Sequence, residues 1–282
     1  MEKRIGWIGL GLIGLPMASR LAAAGWEVRG FDINRDRLAL AGQRGIASAA
    51  SLEDVLKGAR LVFTSLPTEG ALVELAGKLT AALPDKAIWV ETSTVGPQAS
   101  ANVAQTLNNR VAYLRAPISG STNLAESGGL TTFVSGAKDA FDAVRPALAA
   151  YSRAQIWLGE GEEARYAKLA VNLMVAVTAG MMAEALALAR KGGIGWEAML
   201  DLLGESVVAS PLVKYKLEPL RRRDFTPAAT SALLLKDLDL MVEAARQASI
   251  EVPLASHMQA LYRGIMDSEL AGEDFFSIVK LS

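Results

Sequence analysis

Residues 5–32 read IGWIGLGLIGLPMASRLAAAGWEVRGFD, and this stretch decides the fold of the N-terminal half of the chain. An apolar run leads into the glycines Gly9, Gly11 and Gly14, and apolar residues at helical spacing follow them. A second apolar run then ends at Asp32. This order predicts a strand, a tight turn, a helix and a second strand, which is how a parallel α/β sheet begins.

The glycine spacing, G-x-G-x-x-G, has a chemical meaning as well as a structural one. Glycines allow a tight turn and let a ligand approach the backbone, so that a pyrophosphate can rest on the amides at the helix N-terminus. Asp32 suits the adenosine ribose 2′-hydroxyl of NAD, because a carboxylate would repel the 2′-phosphate of NADP. The motif therefore predicts a Rossmann-type dinucleotide site, with NAD as the first choice and NADP as the second.

Three alternatives stay open for this motif. The glycines could form a turn and nothing more, with Asp32 as a helix cap, although a strand, a helix and an acid at this spacing favour a cofactor site. FAD proteins share the fingerprint. Arg35 lies close enough along the chain to meet the phosphate of NADP if its loop turned inward, whereas an arginine at a helix start is more often solvated.

The alternation of short apolar runs and amphipathic segments continues to about residue 158. The apolar runs are RIGWIG, EVRGFD, RLVFTSLP, AIWVETS, VAYLRAPI, LTTFVSG and AQIWLG. After GEGEE at 159–163 the pattern becomes helical, with helices predicted near 163–191, 196–204, 211–220, 228–248 and 254–268. We predict a dinucleotide-binding, doubly wound α/β domain over residues 1–160 and an all-α domain for substrate binding and oligomerisation over 161–282, joined by a long interdomain helix.

Composition restricts the partners and the chemistry. A net charge of −1 creates no field that would attract nucleic acid or an anionic membrane. The chain has no cysteine and a single histidine, His257, which leaves little material for a zinc site or a Ser-His-Asp triad. Residues 169–189 are long enough to span a bilayer, but the polar residues among them favour a buried helix. We expect a small-molecule substrate, a cytoplasmic location, and neither metal, nucleic acid nor membrane as partner.

Lys168 and Asn172 begin an almost uncharged run, ARYAKLAVNLMVAVTAG, at 164–180. Burying an unpaired ammonium group is costly, so Lys168 either extends to water or is held for chemistry. Hydride delivery to a carbonyl leaves an alkoxide that needs a proton, and apolar surroundings lower the pKa of a lysine toward the working range of a proton donor. Asn172 follows by four residues and shares the helix face of Lys168. An isolated Lys-x-x-x-Asn pair is more typical of a solvated face.

At this point the chain resembles the β-hydroxyacid dehydrogenase family, nearly end to end. The segment GLGLIGLPMASRL at 9–21 resembles the cofactor motif of the family, and SLP at 65–67 and STVGP at 93–97 resemble its loops near the nicotinamide. APISG at 116–120 resembles its substrate motif. Lys168 and Asn172 match its K-x-x-x-N element, and KDLDL at 236–240 matches a late Lys-Asp element associated with the cofactor.

The resemblance implies a role for each of these residues. The cofactor is expected to contact Gly9, Gly11, Leu12, Ile13, Gly14, Asp32, Leu66, Pro67, Thr94 and Lys236. The substrate is expected to contact Ser119, Gly120, Ser121 and Asn172, with its carboxylate on Ser119 and Gly120. Lys168 is expected to exchange the proton as acid or base.

The resemblance also implies the reaction, which is NAD(P)-dependent interconversion of a small 3-hydroxyacid and its semialdehyde. Two positions depart from the family, because Arg115 replaces an aspartate and Ser121 replaces a glycine, and these changes bear on the substrate more than on the chemistry. An imine reductase is one alternative, although such enzymes commonly replace the lysine. A non-catalytic cofactor-binding module is the other. The apolar C-terminal third predicts a homodimer or homotetramer.

Overall fold

The computed structural model describes residues 3–281, and the chain divides into two compact units after Lys168. The division falls within a helix that begins in the first unit and continues into the second, later than the predicted boundary after residue 160. Each unit has a hydrophobic core of its own.

Over the described residues 3–168, the first unit is built on a nine-stranded sheet of order β3-β2-β1-β4-β5-β6-β8-β7, with β9 paired to β8. The strands are β1 Arg4–Ile8, β2 Glu27–Phe31, β3 Ala47–Ser48, β4 Leu61–Thr64, β5 Ile88–Glu91, β6 Ala112–Arg115, β7 Ile118–Ser119, β8 Leu130–Ser135 and β9 Ser152–Gly159. Strands β1 to β6 run parallel, whereas β8 runs antiparallel to β6 and β7. The predicted doubly wound sheet is confirmed, and only the two-residue strands β3 and β7, too short for a periodic signal, were not predicted.

Helices cover both faces of this sheet. They are α1 Gly14–Ala23, α2 Arg35–Gln43, α3 Leu52–Leu56, α4 Glu69–Ala82, α5 Pro97–Leu107, α6 Thr122–Ser127 and α7 Lys138–Leu148. Successive side chains of a strand point to opposite faces. Trp7 and Phe63 accordingly belong to one core, where their rings stack at a centroid distance of 5.2 Å, and Ile8 and Val62 belong to the other.

The strand order reverses between β1 and β4. From β1 the chain moves outward to β2 and β3, and then returns to β4 on the other side of β1 and continues to β5 and β6. In open α/β sheets, ligands bind at the carboxyl ends of the strands where the order reverses. The loops that begin at Gly9 and Ser65 lie at this position, because they follow β1 and β4.

The second unit is all-α, as predicted. Its helices are the continuation of α8 Glu163–Lys191, then α9 Trp196–Glu205, α10 Pro211–Arg221, α11 Ser231–Gln247 and α12 Pro253–Arg263, with 3₁₀ helices at Glu269–Ala271 and Phe275–Leu281. The bounds predicted for α8 are confirmed. Helix α11 begins later than predicted because the hydroxyl of Thr230 caps it, accepting from Leu233 N at 3.1 Å. Helix α12 ends earlier than predicted, immediately before Gly264.

A buried ion pair holds the C-terminal segment to α10. Lys216 Nζ lies 2.7 Å from both carboxylate oxygens of Asp274, and the two side chains are almost fully buried. The same ammonium group lies over the rings of Phe275 and Phe276, at 4.8 and 5.1 Å from their centroids. Buried charges are tolerated when they are paired in this way.

Helix α8 is apolar on two sides. One side enters the core of the second unit through residues such as Ala176, Ala179 and Met182. By length and composition the helix could cross a membrane, with a mean hydropathy of 1.7, and a third of that window is buried. The expectation of a buried helix is therefore met on one side only. Met174, Met181 and Leu188, seven residues apart, are more than half exposed.

Candidate active site

The turn after β1 depends on two of its glycines for its own backbone packing. Gly9 has φ of +91°, and a Cβ there would lie 2.1 Å from the carbonyl oxygen of Ser65. A Cβ on Gly14 would lie 2.1 Å from the carbonyl oxygen of Gly9. Any side chain at either position would clash with backbone, so these two glycines are required whether or not a ligand binds.

Gly11 differs, because a Cβ there would meet no heavy atom of residues 3–281 within 4 Å, apart from those of its two chain neighbours. The protein's own packing therefore does not require this glycine, and the space beside it is open to a ligand. Helix α1 begins at Gly14, and no side chain within the described part of the chain caps its N-terminus. Open space beside uncapped amides at a helix N-terminus fits a pyrophosphate, so the residues present suit a dinucleotide.

We expect Gly11→Ala to weaken NADH binding by roughly 10- to 100-fold. A methyl group in this space displaces the pyrophosphate, and binding then loses about one hydrogen bond between a backbone amide and the charged phosphate. The stability of the fold should change by less than about 0.5 kcal/mol. Fluorescence titration with NADH and urea denaturation measure the two quantities. Gly42→Ala is the matched control, since a Cβ there also meets nothing within 4 Å. Equal NADH affinity in both variants would show that Gly11 does not contact the cofactor.

Asp32 connects β2 to the glycine turn. Its Oδ2 accepts a hydrogen bond from Leu10 N at 2.7 Å, and its Oδ1 accepts one from Asn34 N at 2.8 Å. Each carboxylate oxygen has two lone pairs, so a ribose hydroxyl can still donate to this half-buried group. Arg35 is the first residue of α2 and is exposed, which agrees with the solvated alternative for it.

The loops after β4 and β5 are joined by a hydrogen bond. Leu66 N, in the first loop, donates to Ser93 Oγ in the second at 2.7 Å. Pro67 follows Leu66 and is exposed, and Thr94 follows Ser93 and is half-buried. The three expected cofactor residues of these loops thus lie on neighbouring strand ends of the same sheet.

The expected substrate segment lies between β7 and α6. Ser119 is the last residue of β7 and pairs with Thr131 of β8. Gly120 has φ of +137°, and a Cβ there would lie 2.7 Å from a methyl group of Leu130, so a larger residue would be strained. Ser121 precedes α6, but its hydroxyl makes no capping hydrogen bond to that helix. The hydroxyl of Ser121 is therefore not committed to the helix N-terminus.

Two ion pairs at the beginning of α8 were not predicted. Arg165 Nη2 donates to Glu91 Oε2 at 2.5 Å, and neither side chain is exposed to solvent. Arg115, one of the two departures from the family pattern, donates through Nε to Glu162 Oε1 at 2.9 Å and lies over the ring of Tyr113. An acid at the end of an apolar strand run, such as Glu91, was a usable signal. No comparable sequence signal marked Arg165, because it stands among charged residues that resemble a solvated helix start.

Lys168 is the last residue of the first unit and lies one turn after Arg165 on α8. Its side chain is buried, with 9% of the residue exposed. This burial argues against the alternative in which Lys168 extends freely to water. A lysine held out of water is the kind of residue that serves as an acid or base.

In the second unit, Asn172 and Lys236 meet at one carboxylate. Asn172 Nδ2 donates to Asp237 Oδ2 at 2.7 Å, and Lys236 Nζ lies 3.1 Å from Asp237 Oδ1. Because a carboxylate only accepts hydrogen bonds, Asp237 orients the amide nitrogen of Asn172 toward itself. The structure thus brings together a predicted substrate residue and a predicted cofactor residue of this unit, around an acid that was not among the predicted site residues.

Comparison with known proteins adds independent findings. Residues 4–159 match the family model described as the NAD binding domain of 6-phosphogluconate dehydrogenase. Residues 162–282 match the one described as NAD-binding of NADP-dependent 3-hydroxyisobutyrate dehydrogenase. The chain is 30% identical to the NAD-dependent L-serine dehydrogenase of Pseudomonas aeruginosa, with 99% of this chain and 97% of the other covered.

Solved structures agree with these matches. A Mycobacterium tuberculosis 3-hydroxyisobutyrate dehydrogenase with L-serine has a TM-score of 0.91 and 27% identity, with 100% of this chain and 99% of the other covered. An imine reductase from Bacillus cereus has a TM-score of 0.63 and 20% identity, with 99% and 98% covered, which shows a shared fold alone.

Proposed function

Because the chain belongs to the β-hydroxyacid dehydrogenase family and is an NAD(P)-dependent hydroxyacid dehydrogenase, we propose that it interconverts small 3-hydroxyacids and their semialdehydes with Lys168 as acid or base. The bound nicotinamide supplies or accepts the hydride. In the oxidation, the substrate hydroxyl gives its proton to the neutral amine of Lys168. In the reduction, the ammonium group returns that proton to the oxygen that becomes the hydroxyl.

The burial of Lys168 carries this proposal. A buried lysine is retained against a desolvation cost, and here it lies in the unit that also contains the glycine turn and the loops after β4 and β5. Ser119 and Gly120 are proposed to hold the substrate carboxylate, with the hydroxyl of Ser121 as a further donor. A site that bonds a polar group discriminates strongly against analogues that lack it. Ser121 is therefore proposed to influence the choice among 3-hydroxyacids.

A turnover screen tests the proposed reaction. The purified protein is assayed with NAD and with NADP against 3-hydroxyacids such as L-serine and 3-hydroxyisobutyrate, and 2-hydroxyacids of equal size serve as the matched control. We expect turnover of 3-hydroxyacids and not of 2-hydroxyacids. Reduction of cyclic imines without 3-hydroxyacid activity would favour the imine reductase alternative. NADH binding without turnover of any substrate would favour a non-catalytic module.

We expect NAD to be preferred over NADP in kcat/KM, because Asp32 directly follows β2 and its carboxylate repels a 2′-phosphate. Asp32→Asn removes this charge and should shift the ratio of the two kcat/KM values toward NADP by about 10-fold or more, the worth of one hydrogen bond to a charged group. Asp36→Asn, which removes an exposed acid of α2, is the control. A parental preference for NADP would show that Arg35 outweighs Asp32.

We propose that the protein is a homodimer or homotetramer and that the exposed side of α8 contributes to its interface. Met174, Met181 and Leu188 recur every seven residues, and exposed apolar stripes of this kind mark sites of association. Light scattering should show an oligomer at micromolar concentration, and Met181→Lys should shift it toward monomer. Val73→Lys, at an exposed apolar position of α4, should not. A monomeric parent protein would end this proposal.

A cytoplasmic location also stays a proposal. It is in keeping with a chain that has no cysteine and that acts on small metabolites.

A further inference from the structure

Arg165 contacts several parts of the first unit from the first turn of α8. Its Nη2 donates to Glu91 Oε2 at 2.5 Å and to the Tyr113 hydroxyl at 3.1 Å, its Nη1 to Ser93 O at 2.8 Å, and its Nε to Ser100 Oγ at 3.2 Å. Burial alone would lower the pKa of Arg165, but the nearby carboxylate of Glu91 contributes to raising it above its ordinary value. The guanidinium therefore stays charged and directs four N–H groups at fixed partners.

Glu91 extends this network to the two loops expected at the nicotinamide. Its Oε1 accepts a hydrogen bond from Ser93 N at 2.9 Å and another from the Ser93 hydroxyl. The same hydroxyl accepts from Leu66 N at 2.7 Å. The loop after β4, the loop after β5 and the beginning of α8 are thus joined through one buried acid and one buried arginine.

Stability alone does not account for this pair. Replacing a buried ion pair by apolar residues of similar volume is often neutral or stabilising, because the desolvation of two charges offsets their attraction. Apolar residues, however, make no directional hydrogen bonds. A guanidinium group with fixed acceptors holds its helix at one position along the helix axis and at one rotation about it. Lys168 lies three residues later, which is about 4.5 Å of helix rise, so a displacement of Arg165 is transmitted to it.

We infer that Arg165 is a positioning residue which, with Glu91, sets Lys168 in place relative to the cofactor loops at 65–67 and 93–94. This inference rests on the proposed function of Lys168 and of those loops. A lysine at position 165 could pair with Glu91 as a point charge, but it would lose the simultaneous bonds to Ser93 and Tyr113. A positive charge alone is therefore not sufficient at this position.

The test is the double variant Glu91→Leu/Arg165→Met, which removes both charges together and leaves neither buried alone. We expect its urea midpoint to fall only modestly, because the buried Ser93 N–H loses its acceptor while no charge is left buried alone. Amide hydrogen exchange at residues 163–168 should accelerate about 10-fold. We expect the Kd for NADH to rise about 10-fold and kcat to fall by roughly 10- to 100-fold, as for small misplacements of reacting groups. Arg165→Lys should keep most of the stability and lose kcat to the same degree.

The control is Arg44→Met/Glu126→Leu, which makes the same change at an exposed pair and should leave all these quantities unchanged. Parental exchange, NADH affinity and kcat in the double variant would overturn the inference. If the double variant does not fold, Arg165→Lys decides by the same measurements. If the parent protein turns over no hydroxyacid, the proposed function fails, while hydrogen exchange and NADH titration still determine whether Arg165 positions the start of α8.

Discussion

Lys168→Ala is expected to lower kcat by roughly 10²- to 10⁴-fold, which is the usual contribution of general acid–base catalysis. The lysine is buried at the end of the first unit, and the only histidine of the chain, His257, is exposed on a different helix. With its amine removed, the substrate oxygen exchanges its proton with water alone. NADH affinity should stay near the parental value, because the cofactor is expected to be held by the glycine turn and the neighbouring loops.

Lys168→Arg should not restore turnover. A guanidinium group stays charged at every accessible pH, so it can attract a carboxylate but does not cycle a proton. The measurements are steady-state kcat with the best substrate of the screen and NADH titration by fluorescence. Lys191→Ala, at the exposed lysine that ends α8, is the matched control. Turnover within a few-fold of the parent in both Lys168 variants would withdraw the catalytic assignment.

Lys216→Met is expected to lower the free energy of unfolding by about 3–5 kcal/mol, because it leaves the carboxylate of Asp274 buried without its cation. Asp274 also accepts hydrogen bonds from Ala228 N at 3.2 Å and Phe276 N at 3.1 Å, but these neutral donors do not replace an ammonium group at 2.7 Å. A loss of this size is a large part of the roughly 5–15 kcal/mol that stabilises a typical domain.

Urea denaturation measures this effect. Lys214→Met removes an exposed lysine from the same helix and should change the stability by less than about 0.5 kcal/mol. The two variants have equal charge and composition, so any difference between them reports the buried pair. Equal urea midpoints would show that the pair contributes no net stability to the second unit.

Local patterns in the chain were enough to predict most secondary structure. All seven apolar runs in the first unit form strands, because a buried strand needs only a few consecutive residues of the right type. The long apolar run predicted the bounds of α8, where GEGE at 159–162 precedes the helix and Gly192 and Gly193 follow it. Where caps decide the ends, as at Thr230, the periodic pattern extended too far.

Within the candidate site, too, some residues were predictable from local patterns and others were not. Gly9, Gly11, Gly14 and Asp32 were found from spacing, since the whole motif lies within one strand, turn, helix and strand. Lys168 was singled out by its place in an almost uncharged run, and the resemblance to a family favoured a catalytic role for it. Ser119 was found from the resemblance alone, and both roles stay proposals. Nothing local distinguished Arg165 from a solvated arginine, because its neighbours in the sequence are charged as well.

By itself, the sequence determined the order of strands and helices, the glycine turn and the approximate place of the change from α/β to all-α. Only the tertiary structure decided which polar and charged side chains pair. Arg165 meets Glu91 across 74 residues, Asn172 meets Asp237 across 65, and Lys216 meets Asp274 across 58. The physical reason is that periodicity and turn chemistry act between near neighbours in the chain, whereas a buried ion pair depends on strand order and helix packing that bring distant residues together.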